Sequence, residues 1–302
     1  MRDDLFNRIH EMGFKNFLRE KFHQRFKLNK SIFKGDGGNS SISDSDNWVG
    51  YCNLIAKDEK AFVKFRQYRV LHDVLEHVTF QTANLYLDSI RPRFTNSEIL
   101  HLAKKFDAVG RPLTYYFHEV GKVSSLFFRY LKVASDIELL FGNKLKVIAE
   151  IGVGFGGQLA LLAHLVPFRD CHLFDLTSTR LMASKYLKAN GILNVNSGNS
   201  IIAESYDLVI SNFAFSELKR VQQEKYFTNI IQNSRRGYIT WNNLSEQYLD
   251  GMSISEFVER KPETKVVTEE LAPQHTNYIL IWGFEDVNSL WALSGSNRRP
   301  TD

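Results

Sequence analysis

A strand, a glycine turn and a helix follow one another in residues 146–164, KVIAEIGVGFGGQLALLAH. The β-branched run before the glycines predicts a buried strand, and the Leu/Ala-rich run after them predicts a helix. Glycine permits a sharp turn and lets a ligand approach the main chain, and the start of a helix presents unpaired N–H groups. The stretch therefore predicts a nucleotide-type binding site at the carboxyl end of a strand.

Strand and helix patterns alternate from Lys144 onward. The strand patterns are KVIAEI, CHLFDL, YDLVISN and RGYITWN, with a short third strand before residue 197; the helix patterns are GQLALLAHL, TSTRLMASKYLKAN, LKRVQQEKYFTNIIQN and a run near SISEFVER. Such alternation is typical of a mostly parallel sheet with right-handed crossovers and helices on both faces. Two further strand patterns, KVVTEEL and NYILIWGF, are joined by APQHT and predict an antiparallel hairpin at the end of the sheet. We therefore predict an α/β protein with a Rossmann-like sheet.

Composition divides the chain into five parts. Residues 1–33 form a basic amphipathic helical segment, residues 34–47 a Gly/Ser/Asp-rich flexible linker, residues 48–142 a helical domain with few strand signals, residues 143–288 the α/β ligand-binding domain, and residues 289–302 a solvated tail. We expect the helical domain to act as a lid on the substrate side of the site.

The overall composition is that of a globular protein able to bury a sizeable core, with 43% hydrophobic residues in 302. Two cysteines make no disulfide framework, and no apolar run approaches the roughly 20 residues that cross a bilayer. The N-terminus lacks the apolar region of a signal peptide, so we expect a cytoplasmic protein. A net charge of +4 is too small to imply nucleic acid, but residues 1–33 suit a partner subunit or the anionic inner face of the membrane.

The glycine spacing alone leaves the ligand open, because Gly152, Gly154 and Gly157 also match the G-x-G-x-x-G pattern of dinucleotide sites. Glu150, two residues before the first glycine, would repel a pyrophosphate and would attract a ligand that carries an ammonium and a sulfonium group. S-adenosylmethionine is such a ligand. Asp175 ends the next strand pattern and is placed to bind ribose hydroxyls. A Walker-type phosphate loop is excluded, because no Gly-Lys-Ser/Thr follows the glycines.

Four stretches carry a resemblance to a known family: FRYLKVASDIELLFG, AEIGVGFGGQ, FDLTSTRLMASKYL and the long run from Tyr206 to Asn243. They resemble the sugar O-methyltransferases of bacterial surface-polysaccharide gene clusters, within the S-adenosylmethionine-dependent class with a Rossmann-like methyltransferase sheet. The resemblance spans about Phe128 to Phe284 and fades before Trp48. It implies S-adenosylmethionine as methyl donor, and as acceptor a sugar hydroxyl on a nucleotide-linked sugar, a lipid-linked glycan or a polymer.

The candidate donor-binding residues follow the predicted strands and the glycine turn. They are Arg129, Glu150, Gly152, Gly154, Gly156, Gln158, Asp175, Leu176, Asn199, Ser200 and Asn212. Asn199 and Ser200 follow the short third strand, where a polar residue commonly contacts adenine. Three of these groups also have a purely structural interpretation. The glycines could form only a tight turn, Asp175 could cap the following helix, and residues 197–200 could be a plain turn.

The candidate acceptor-binding residues are Tyr115, Phe213, Trp241, Asn242 and Asn243, with Trp241 equally compatible with a place in the core. An alkyl hydroxyl is a poor acid, so a general base or a bound metal is expected, and Glu217, His118 and His275 are the candidates for the base. The alternative role of Glu217 is a favourable charge in the first turn of a helix near Leu218. The nine histidines form no metal-binding spacing, so no metal is predicted.

Two other functions remain compatible with the sequence. An NAD(P)-dependent oxidoreductase is supported by the glycine spacing and disfavoured by Glu150. A non-catalytic S-adenosylmethionine-binding protein would share the same donor residues, since a fold alone does not secure an activity.

Overall fold

The computed structural model describes residues 46–76, 78–142, 145–198, 205–242, 246, 250–269, 271 and 277–284. The predictions for residues 1–33, for most of the linker and for the tail lie outside these described residues. So do the candidates Asn199, Ser200, Asn243 and His275.

Seven strands form the main sheet, in the spatial order β5-β4-β3-β6-β7-β9-β8. They are β3 (Val147–Ile151), β4 (Asp170–Phe174), β5 (Val195–Asn196), β6 (Leu208–Asn212), β7 (Gly237–Trp241), β8 (Lys265–Glu269) and β9 (Asn277–Trp282). The first five are parallel, whereas β9 lies antiparallel to both β7 and β8. The predicted α/β sheet with an antiparallel C-terminal hairpin is confirmed.

Helices cover both faces of this sheet, as the alternation predicted. On one face lie α6 (Ser125–Phe141), α7 (Gly157–Leu165) and α8 (Thr177–Ala189), and on the other lie α9 (Arg220–Tyr226), which continues as a π turn over Phe227–Ile231, and α10 (Ile254–Arg260). Successive strand residues point to opposite faces. Ile148 accordingly joins the α6–α8 core, and Ala149 and Ile151 join the α9–α10 core.

The chain reverses its direction of travel across the sheet at β3. From β3 it proceeds outward through β4 and β5, and then returns to place β6 on the other side of β3. In open α/β sheets, ligands bind beyond the carboxyl ends of the strands at such a switch point. The fold therefore places a site above the ends of β3, β4 and β6.

The region before the sheet is built from short helices that pack directly on it. These are α1 (Asp46–Lys57), α2 (Glu59–Phe62), a 3-10 turn (Phe65–Gln67), α3 (Arg69–Val74), α4 (Phe80–Ile90) and α5 (Asn96–Phe106). Phe65 packs edge-on against Phe155 and Tyr186 of the sheet region. One apolar core runs through both regions.

Two features of this region differ from the sequence expectation. Helix α1 begins at Asp46, inside the stretch predicted as linker. A small antiparallel hairpin, β1 (Tyr115–Phe117) with β2 (Gly121–Val123), lies in the part predicted as helical. Its strands are only three residues long, too short to show an alternating pattern. No helix in the described part of the chain has the length and apolarity needed to cross a bilayer.

Candidate functional site

A cleft opens above the carboxyl ends of β3, β4 and β6, at the switch point of the sheet. Its walls are formed by Trp48, Val74, Leu75, Arg129, Ile151, Gly152, Gly154, Phe174, Asp175, Leu176, Asn212, Phe213, Ala214, Glu217, Leu218, Gln222 and Tyr226. Seven of the predicted donor-binding and acceptor-binding residues line this cleft together with Glu217. They are Arg129, Gly152, Gly154, Asp175, Leu176, Asn212 and Phe213.

The glycine loop adopts a backbone that side chains resist. Gly152, Gly154 and Gly156 have φ angles of 77°, 54° and 88°, in the left-handed region. A Cβ at Gly154 would lie 2.8 Å from Leu75 Cδ1, and one at Gly152 would overlap Ala214. Gly156 is the N-cap residue of α7 and faces Leu187 rather than the cleft. The glycines thus serve the packing of the loop as well as access to its main chain.

A buried ion pair in the helical region stabilises the packing of Leu75 against Gly154. Glu76 directly follows Leu75, and its Oε1 lies 2.5 Å from Nε of the fully buried Arg66. The same guanidinium contacts Asp107 at 3.2 Å. This network holds the end of α3 against the glycine loop.

Glu150 lies beneath the loop on the face covered by α6 and α7, and it is almost fully buried. Its Oε2 has no hydrogen-bond partner among the described residues. Burial raises the pKa of the Glu150 carboxyl well above its usual range, and the nearby negative charge of Asp175 raises it further. A cation at this position would satisfy the oxygen and favour the ionised form.

A chain of two amides fixes the orientation of Asn212. Gln158 Nε2 donates to the Tyr130 carbonyl at 3.2 Å, and Asn212 Nδ2 donates to Gln158 Oε1 at 3.3 Å. Because a carbonyl can only accept, the amino groups must point along the chain in this direction. Asn212 Oδ1 is left buried and without a partner in the described residues. Gln158 is therefore a support for Asn212 and does not itself line the cleft.

Asp175 connects the end of β4 to the glycine loop. Its Oδ1 accepts from Leu176 N at 2.7 Å and its Oδ2 accepts from Gly154 N at 3.3 Å. Helix α8 has no side-chain cap at its start, so Asp175 is not a helix cap. Its carboxylate is instead displayed at the wall of the cleft.

Arg129 supplies a positive charge to the opposite wall. Its side chain is mostly buried, and its Cζ lies 5.4 Å from the centre of the Tyr130 ring and 5.8 Å from that of Phe213. None of the ion pairs among the described residues involves this guanidinium, although its positive charge opposes the rise in the pKa of the buried Glu269 carboxyl. A carboxylate on a bound ligand would complete this pairing.

Glu217 lines the cleft between the ends of β6 and β7, in contact with Asn242. Asn242 Nδ2 donates to Glu217 Oε1 at 2.9 Å, while Asn242 N donates to Ser216 Oγ at 3.1 Å. Glu217 ends a short 3-10 turn, and α9 begins three residues later at Arg220. It therefore lies outside the first turn of that helix, which disfavours a role in stabilising the helix dipole.

Four of the predicted acceptor-binding and base residues are not among those that line the cleft: Trp241, Tyr115, His118 and Asn242, the last of which is hydrogen-bonded to the lining residue Glu217. Trp241 is fully buried and packs against Phe215 and Phe257, so its place is the core alternative. Tyr115 packs against Phe80 in the helical region. His118 lies in the turn of the β1–β2 hairpin with 89% of its side chain exposed, because the hairpin packs by its strands and directs its turn to solvent.

Sequence reasoning missed two groups of lining residues. Trp48, Val74 and Leu75 come from the helical region, and no local pattern links them to the glycine loop. Gln222 and Tyr226 are four residues apart on α9, directly after the Glu217 turn, and this spacing was a usable signal. Within the described ranges, no group of His, Cys, Asp and Glu side chains is arranged to hold a metal ion.

Comparison with known proteins gives only distant likenesses. No family model matches the chain, and no curated protein matches it. Among solved structures, it is similar to an O-methyltransferase family protein from Burkholderia thailandensis (14% identity over 54% of this chain and 57% of that one, TM-score 0.40). It is also similar to the pyocyanin biosynthetic protein PhzM (11%, 52% and 56%, 0.39) and to the mitomycin 7-O-methyltransferase MmcR (14%, 67% and 67%, 0.39).

The chain covers little more than half of the length of the first two of these structures, at 57% and 56%. At such identities and TM-scores we rest no conclusion on the likeness. The function of the protein is instead inferred from the strand order and the geometry of the cleft.

Proposed function

We propose that the protein is an S-adenosylmethionine-dependent O-methyltransferase whose acceptor is a sugar hydroxyl. The observation that carries the proposal is a pair of buried oxygens that lack partners in the described residues: Asn212 Oδ1, of a residue that lines the cleft, and Glu150 Oε2, beneath the glycine loop. A buried acceptor without a donor costs about 1–3 kcal/mol. A ligand that brings cationic or N–H donors to this point recovers that cost.

The charges in and beneath the cleft match the methionine half of the donor. Glu150 and Asn212 suit its ammonium group, and the guanidinium of Arg129 suits its carboxylate. Asp175 faces the cleft from the end of β4, where it suits two ribose hydroxyls. The same arrangement is unfavourable to a dinucleotide, because Glu150 beneath the glycine loop would face its pyrophosphate.

The donor supplies an electrophilic methyl group when bound, so the chain must orient the acceptor oxygen and take its proton. Glu217 is the group we assign to the proton. It lines the cleft, and the hydrogen bond from Asn242 Nδ2 holds one of its oxygens in place. General-base assistance of this kind contributes about 10²–10⁴-fold to a rate.

The sugar acceptor is supported by two considerations. The acceptor side of the cleft offers the carboxylate of Glu217, a group that binds hydroxyls, held in place by the amide of Asn242. In sequence, the glycine loop and the run from Tyr206 to Asn243 resemble those of sugar O-methyltransferases. The proposal covers nucleotide-linked sugars, lipid-linked glycans and polymers alike.

Calorimetric titration with S-adenosylmethionine, S-adenosylhomocysteine and NAD tests the donor. We expect both S-adenosyl compounds to bind and NAD not to bind; tight binding of NAD alone would overturn the proposal. Mass spectrometry of nucleotide-linked and lipid-linked sugars incubated with the donor then tests the acceptor. A gain of one methyl group on a sugar is expected, and donor binding without transfer to any acceptor would favour a non-catalytic binding protein.

A further inference from the structure

Helix α9 presents two side chains to the cleft from a rigid position. Gln223, on the core side of the helix, is fully buried; it donates to the Phe215 carbonyl at 3.0 Å and accepts from Met252 N at 2.6 Å. Arg220 binds Glu256 of α10, with Nη1 2.7 Å from Oε2. Residues four apart share a helix face, so Gln222 and Tyr226 lie together on the wall of the cleft.

Next to these two side chains, the wall of the cleft near Asp175 is apolar. The ring of Phe174 lies 6.1 Å from that of Tyr226, at an interplanar angle of 69°. Leu176 and Leu218 complete the lining of this part of the cleft. A flat, largely apolar group attached to a sugar at Asp175 would lie against these side chains.

Gln222 adds a polar group that is poised for such a ligand. Its Oε1 is buried and accepts no hydrogen bond from any residue that the structure describes. A glutamine amide carries both an acceptor and a donor, which matches the amino group and the neighbouring ring nitrogen of adenine. An aromatic and aliphatic slot with one such amide is how proteins read an unpaired base.

We infer that Gln222 is the residue that selects adenine as the base of the bound donor, with the edge-to-face pair of Phe174 and Tyr226 beside the ring. The inference rests on the proposed function, since it assigns a subsite of that donor. The base amino group would then be bound by α9, a helix for which the sequence analysis predicted no role in binding.

The test is a titration of two product analogues against two forms of the protein. The analogues are S-adenosylhomocysteine and the same compound with hydrogen in place of the adenine amino group. The wild-type protein should bind the adenine compound about tenfold more tightly, because loss of the amino group leaves the amide oxygen unpaired. In Gln222→Leu the preference should disappear, mainly through weaker binding of the adenine compound.

Two further variants keep the test decisive. Gln222→Glu retains an acceptor and should retain a preference for the adenine compound, which covers the case in which Gln222→Leu does not fold. Gln232→Leu makes the same change at an exposed site outside the cleft and should leave both affinities unchanged. An unaltered preference in folded Gln222→Leu would overturn the inference alone, whereas a wild-type protein that binds neither analogue would overturn the proposed donor with it.

Discussion

Two buried carboxylates, Asp136 and Glu150, show how the scaffold and the cleft differ. Asp136, where α6 packs on the sheet, accepts from Lys132 Nζ at 2.6 and 2.7 Å and from Tyr238 Oη at 2.7 Å. Glu150, beneath the glycine loop of the cleft, keeps one oxygen without a partner in the described residues. Burial raises the pKa of both groups, but Lys132 and Tyr238 oppose the rise at Asp136, whereas Asp175 adds to it at Glu150.

The contrast separates polar groups that serve folding from those that serve a ligand. Asp136 in the scaffold is satisfied within the chain, because an unpaired buried charge is costly. The carboxylate of the cleft lacks this compensation, so its partner must come from outside the protein. Substitutions at Asp136, Glu217, Asp175 and Glu150 test this distinction.

Asp136→Asn should disrupt the scaffold. It leaves the Lys132 ammonium buried without its counter-charge, and we expect the free energy of unfolding to fall by about 3–5 kcal/mol. Urea denaturation measures this loss. The matched control is Asp88→Asn, which removes a largely exposed pair with Arg91 and should cost less than about 1 kcal/mol. Equal effects of the two substitutions would contradict the distinction.

Glu217→Gln should abolish most of the turnover without affecting the scaffold. The amide oxygen still accepts from Asn242, but it cannot take a proton, so turnover should fall by roughly 10²-fold or more, equivalent to about 2.7 kcal/mol. Donor affinity and melting temperature should remain those of the wild type. Glu259→Gln, at an exposed position outside the cleft, is the control. If turnover survives within a few-fold, the base lies elsewhere, and His275, outside the described residues, is the next candidate.

Asp175→Ala should weaken donor binding by about 1.5–3 kcal/mol, through loss of charge-assisted hydrogen bonds to ribose. Calorimetry gives the change directly. Asp175→Asn retains an acceptor for Gly154 N and should lose less affinity, which separates the contact with the ligand from support of the loop. Wild-type affinity in both variants would remove Asp175 from the site.

Glu150→Gln should stabilise the unliganded protein, and by more at higher pH. The pKa of Glu150 is raised in the folded state, so its contribution to stability is fully present below the unfolded value of about 4.3 and is lost as the pH rises toward the folded value. Glutamine carries no such penalty, and we expect a melting temperature about 2–4 °C above wild type near neutral pH. S-adenosylhomocysteine should reverse the order. A pH-independent difference would show that Glu150 does not titrate in this range.

The sheet was predictable because each of its parallel strands carries its own signal. The runs around Ile148, Leu173 and Val209 are β-branched or aliphatic, and each is followed by a helix pattern, so alternation alone specified the order of elements. The β1–β2 hairpin was not predictable, since its register depends on packing against its neighbours rather than on a repeat within six residues. The same holds for Arg66, whose partners Glu76 and Asp107 are set by the tertiary fold.

The cleft was predictable where it lies at strand ends, and not where distant segments close it. Gly154, Asp175, Asn212 and Glu217 lie directly after predicted strands or their turns, and all line the cleft. Leu75 reaches Gly154 from a helix nearly eighty residues earlier, a contact that no spacing encodes. Trp241 also lies at the end of a strand, but its side chain points to the α9–α10 core, because a shift of one residue along a strand changes the face.

The position of β9 between β7 and β8 has a consequence for synthesis of the protein. Both neighbours of β9 leave the ribosome before it does, so β8 cannot join the sheet and the fully buried β7 keeps a free edge until residues 277–282 are made. At about 5–20 residues per second, the roughly forty residues after Trp241 take about 2–8 s. An open apolar edge is a template for pairing with other nascent chains. The yield of folded protein should therefore depend on how fast translation passes through this interval.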